Sequence, residues 1–123
     1  MSIVKGKVIL GEGRGEGLGY PTANLDRRYY KLHPVPKGVY AAWTAVGAKR
    51  YPSLVIIGAP SRKKKKDFKI EIHVLGVRED FRGLVLEARL VKRLRSLQTY
   101  PDETRLVAQI QEDIYQAKNV LKD

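Results

Sequence analysis

The hydrophobic pattern changes period once along this chain, and that change limits the folds open to it. Before Pro101 the apolar residues alternate with polar ones. Ile70, Ile72 and Val74 fall on one side of an extended segment, with Glu71 and His73 opposite. Leu84, Leu86, Ala88, Leu90 and Leu94 repeat the pattern against Glu87, Arg89, Arg93 and Arg95. After Asp102 the spacing becomes three to four. Leu106, Ile110, Ile114, Ala117 and Leu121 form the stripe of an amphipathic helix, with Asp102 as its predicted N-cap. Further strands are predicted over 3–10, 38–47 and 51–57, the second apolar on both faces and therefore buried. Residues 20–37 hold Pro21, Pro34 and Pro36 and are predicted to be mostly irregular. Strands followed by one helix argue against a doubly wound α/β fold. They predict an antiparallel sheet or small barrel with a helix packed on it.

Composition narrows the chemistry. The 123 residues suit one domain, 1–123, with one hydrophobic core. The absence of cysteine excludes disulfides, a cysteine zinc site and a cysteine nucleophile. Only His33 and His73 are present, which argues against a histidine-rich metal site. No apolar run approaches the ~20 residues of a membrane span, and the N-terminus has no apolar signal core, so a cytoplasmic protein is expected. The net charge of +11 suggests anionic partners: nucleic acid, an anionic membrane, or a phosphorylated small molecule. The run from Arg62 to Lys69 carries six positive charges in eight positions. It reads as a solvated loop, as an ATP-steering segment, or as a phosphate contact for nucleic acid. Phe68 is its one nearby aromatic, which gives little support for stacking on single strands.

Residues 11–19 read Gly-Glu-Gly-Arg-Gly-Glu-Gly-Leu-Gly. Such a loop can line up backbone N–H groups around an anion, with Arg14 as a cation, or can be a flexible hairpin loop. It fits neither the dinucleotide fingerprint nor the P-loop. Downstream, Pro21 favours an extended Tyr20, so Thr22 and Asn24 project to one side, each with a neutral oxygen. They are turn residues or, beside a phosphate, magnesium ligands. Glu71 is a solvent-facing strand residue or a proton acceptor, and His73 shares its face.

The run Gly13-Arg14-Gly15, Leu18-Gly19-Tyr20-Pro21-Thr22-Ala23-Asn24-Leu25 resembles the signature of the riboflavin kinase (flavokinase) family, which includes the kinase module of bifunctional bacterial FAD synthetases. Further matches follow in order: Gly38-Val39-Tyr40-Ala41, Ile57-Gly58, Glu71-Ile72-His73, Asp80-Phe81 with Gly83, Leu94-Arg95, and Gln109-Ile110 with Asp113-Ile114 and Ala117. The resemblance implies a six-stranded antiparallel Greek-key barrel with a C-terminal helix. It also implies transfer of the ATP γ-phosphate to the ribityl 5′-hydroxyl of riboflavin, with Mg²⁺ as cofactor. By position, Glu71 corresponds to the catalytic base, and Thr22 and Asn24 to the magnesium pair. Gly13, Arg14, Gly15, Gly17 and Gly19, with Thr22 and Asn24, correspond to the ATP site, and Arg95 to a flavin-side loop. Arg82 replaces the family's usual Tyr and Tyr100 its usual Phe. No His-x-Gly-His-type motif is present, so FMN adenylylation is not expected. The implied partners are the two small-molecule substrates, without nucleic acid or membrane, and the expected state is a monomer. The alternative is a basic β-barrel that binds nucleic acid.

Overall fold

The computed structural model describes residues 2–9, 19–60 and 67–122. Its elements run β1 (Ile3–Ile9), β2 (Ala23–Leu25), α1 (Arg28–Leu32), β3 (Gly38–Val46), β4 (Lys49–Pro60), β5 (Phe68–Val74), β6 (Val85–Arg95) and α2 (Glu103–Val120). The six strands close into an antiparallel barrel in the order β1-β2-β5-β4-β3-β6. Strands β3, β4 and β5 are consecutive neighbours, and β6 returns to lie beside β3, which is a Greek key.

Two apolar clusters use the two faces of the sheet. Val4, Val8, Leu25, Tyr40, Ala42, Val55, Ile57, Ile70, Ile72, Leu86, Ala88 and Leu90 fill the barrel. Val39, Ala41 and Leu54 point outward and pack with Leu75, Ala117 and Leu121 beneath α2. The double-sided apolar pattern of residues 38–47 thus has its cause: β3 is covered on one face by the barrel and on the other by the helix.

Two departures from the sequence pattern have local reasons. The segment predicted as irregular contains β2 and α1. A three-residue strand cannot display a period of two, and α1 is five residues long without a side-chain N-cap. Instead Asp26 Oδ1 accepts from Arg28 N at 2.8 Å, which turns the chain into α1. The other departure is in β6. Leu84 sits before the strand and is half exposed. Leu94 joins the outer cluster, because register shifts between Val39 and Tyr40 and between Ala41 and Ala42 displace it from the inner row.

Glycine matters at two close approaches. A Cβ on Gly6 would lie 2.6 Å from the carbonyl oxygen of Asp26, where the chain leaves β2 across β1. Gly58, at φ +105°, forms the irregularity in β4, and a Cβ there would strike the side chains of Lys37 and Leu97.

The apolar stripe of α2 divides along its length. Asp102 caps the helix by accepting from Arg105 N at 2.8 Å. Ile114, Ala117 and Leu121 pack on the barrel, whereas Leu106 and Ile110 overhang a cavity on its outer face.

Candidate active site

The cavity has a volume of about 420 Å³. Its floor follows one row of residues across the sheet. Glu71 is opposite Ile56, Ile56 opposite Val39, and Val39 opposite Arg95, while Asn24, which is outside the lining, continues the row beyond Glu71. Directly opposed residues present their side chains on the same face, so this row is set by register alone. Glu71 and Arg95 are three inter-strand steps apart, roughly 14 Å along the sheet. Between them Val39, Leu54 and Ile56 form an apolar floor, and Leu106 and Ile110 form the opposite wall. The result is a slot with a polar group at each end.

At the first end, Thr22 Oγ1 donates to Glu71 Oε2 at 2.7 Å. Glu71 Oε1 faces Lys69 Nζ at 3.9 Å. Asn24 is buried in β2, held between Ile9 of β1 and Glu71 of β5. The chain leading into Thr22 is fastened residue by residue. Arg78 Nη2 donates to the carbonyl of Gly19 at 3.5 Å, and Gln111 Nε2 donates to Tyr20 Oη at 3.2 Å. His73 Nδ1 lies 2.8 Å from the carbonyl oxygen of Pro21. A carbonyl only accepts, so Nδ1 carries the proton, and His73 ties this segment to β5. The ring of Tyr20 packs edge-on against it at 5.9 Å.

At the far end, Arg95 Nε and Nη2 donate to Asp113 Oδ1 and Oδ2 at 2.8 and 2.7 Å. Gln109 Nε2 donates to Oδ1 at 2.9 Å, and Arg95 Nη1 donates to the carbonyl of Ser96 at 3.0 Å. Burial disfavours the guanidinium charge, but the hydrogen bonds and charge of Asp113 outweigh it and hold Arg95 above its ordinary pKa. Tyr100 stacks near the guanidinium, its ring centre 5.9 Å from Arg95 Cζ.

The structure therefore brings Thr22, Asn24 and Glu71 together, with Gly19 three residues before Thr22 in the fastened segment. Arg95 stands at the other end of the slot. It is the last residue of β6 rather than a loop residue, because its pairing with Val39 continues the strand. Gly13, Arg14, Gly15 and Gly17, and residues 62–66 of the basic run, lie outside the described residues. Lys69, the end of the basic run predicted as a loop or phosphate-steering segment, lies in β5 and faces Glu71. Asp113 lines the slot without having been assigned a role from sequence. Asp113 did leave a signal: it is a carboxylate three residues after Ile110, inside the apolar stripe of α2.

Comparison with known proteins agrees with this geometry. The chain matches the flavokinase family model, described as riboflavin kinase, over residues 2–121. It is 34% identical over 122 residues to riboflavin kinase of Mus musculus, covering 95% of this chain and 79% of that protein. It is 33% identical over 111 residues to the bifunctional riboflavin kinase/FMN adenylyltransferase of Escherichia coli strain K12. That match covers 89% of this chain and 35% of the bifunctional protein. Among solved structures, riboflavin kinase from Trypanosoma brucei aligns with a TM-score of 0.71 and 25% identity, over 97% of this chain and 78% of that one.

Proposed function

Because the chain belongs to the riboflavin kinase family, we propose that it transfers the γ-phosphoryl group of ATP to the ribityl 5′-hydroxyl of riboflavin, giving FMN and ADP. The observation that carries the reading is the slot with Glu71 and Thr22 at one end and Arg95 at the other. Riboflavin is a flat ring system with a flexible polyol tail. The apolar floor of Val39, Leu54 and Ile56, facing Leu106 and Ile110, suits the ring. The tail then runs toward Glu71.

In this reading Glu71 accepts the proton of the 5′-hydroxyl as the phosphoryl group arrives. Thr22 orients that carboxylate through its hydrogen bond. With its proton committed to Glu71, the Thr22 hydroxyl turns its lone pairs away from the carboxylate. No group of three or more His, Asp or Glu side chains that could hold a metal occurs among the described residues. Thr22 and Asn24 supply hard neutral oxygens instead. That donor set fits Mg²⁺, which keeps waters and phosphate oxygens in its shell. When bound there beside the phosphates, Mg²⁺ neutralises their charge and helps align them. Gly13 to Gly19, with Arg14, would cover the phosphates, and Arg95 would meet the flavin. The proposal also holds the chain to be a single-domain, cytoplasmic monomer. No helix among the described residues is long and apolar enough to cross a membrane.

The nucleic-acid alternative is not favoured. The family match covers nearly the whole chain, and the apolar lining of the slot suits a small aromatic molecule. The test is incubation with riboflavin and Mg-ATP followed by chromatography of the flavins. Appearance of FMN is expected; a folded protein that forms none refutes the proposal.

A further inference from the structure

Resting on the flavin reading of the slot, we infer that Asp113 determines specificity at its far end. By binding Arg95 through both carboxylate oxygens, it makes that end take an uncharged ring and turn away phosphate.

The need for such a device follows from charge. The protein carries a net +11, and in the proposed reaction one substrate and both products bear phosphate. A bare guanidinium at the wrong end of the slot would capture those groups, since Arg pairs with phosphate through two parallel N–H bonds. Among the described residues, two Lys or Arg side chains line the slot, Lys69 and Arg95, and each faces a carboxylate, Glu71 and Asp113. The Arg95 pair is the more closely built. Asp113 is 5% exposed and sits among the apolar residues on the packed face of α2, a position where a carboxylate is costly unless fully bonded. It receives both Arg95 donors and the Gln109 amide from one turn earlier. The carboxylate is therefore fixed, and it fixes the guanidinium in turn. Asp113 is a positioning residue acting through Arg95. It holds the guanidinium plane while cancelling its charge.

The test is titration of riboflavin by quenching of its fluorescence, with and without inorganic phosphate at constant ionic strength. Wild-type protein is expected to bind riboflavin with an affinity that phosphate does not alter. In Asp113→Asn the affinity for riboflavin should fall about tenfold, the worth of one hydrogen bond to a charged group, and phosphate should now compete. The double variant Arg95→Gln/Asp113→Asn should lose the phosphate competition again, which a merely loosened helix would not do. Asp113→Asn that folds and remains indifferent to phosphate overturns the inference. So does phosphate competition in the wild type, a measurement that stands whether or not the variant folds. Wild-type protein that binds no riboflavin refutes the flavin reading itself, and the inference with it.

Discussion

Thr22 Oγ1 donates to Glu71 Oε2 at 2.7 Å across 49 residues of sequence, joining the segment that follows the glycine loop to the middle of β5. One hydrogen bond links the proposed metal side of the reaction to the proposed base. Glu71→Gln keeps the shape and can still bond Thr22, but it cannot take a proton. Turnover should fall by ~10²–10⁴-fold, the usual worth of general-base help. Riboflavin affinity and melting temperature should change little. Steady-state kinetics beside a fluorescence titration decide it; wild-type turnover in a folded variant removes Glu71 from the chemistry.

Thr22→Ala removes an oxygen from the proposed magnesium pair and frees the Glu71 carboxylate. Turnover should drop, and the magnesium concentration giving half-maximal rate should rise. Thr22→Ser keeps the hydroxyl and should restore most of both. If the magnesium dependence is the same in all three proteins, Thr22 is not a ligand.

His73 shares a strand face with Glu71 and is a rival base. Its Nδ1 is committed to the carbonyl of Pro21, which makes it a fastener for the Tyr20–Thr22 segment. His73→Gln should weaken apparent ATP affinity more than it lowers turnover at saturation. A loss of saturated turnover as deep as that of Glu71→Gln would reassign the base.

Ile72 is wholly buried in the barrel, opposite Ala23 of the short β2. Ile72→Ala leaves a cavity there and should cost ~2–5 kcal/mol in denaturant unfolding. A cost below that range would mean that the barrel collapses around the gap.

Asp26 holds the entry to α1, accepting from the backbone and guanidinium of Arg28. The hydrogen bond from the Arg28 side chain is the main reason its pKa lies below the ordinary value of 3.8. A carboxylate depressed on folding adds stability above its unfolded pKa, and that stability is lost as pH falls through the folded one. Asp26→Asn should therefore lower the melting temperature slightly at neutral pH and not at strongly acid pH. Equal lowering at both would assign the effect to the neutral hydrogen bond.

Much of this protein was legible along the chain because the signals are local. Alternation over 69–75 and the stripe from Leu106 to Leu121 record which face of each element is buried, and a residue's face depends only on backbone period. The Pro21-Thr22-Ala23-Asn24 run and Glu71 were readable as candidates through their family resemblance. Other features depend on register and packing, which no local pattern encodes. The row from Asn24 through Glu71, Ile56 and Val39 to Arg95 exists because five strands align at those residues. The division of the α2 stripe into a packed half and a half overhanging the slot depends on where the helix meets the barrel. Asp113 gains its partner only when α2 lies against the end of β6, so its meaning was set by tertiary contact. Strand β2 shows the same limit: three residues are too few to carry a period, and their pairing with β1 and β5 makes them a strand.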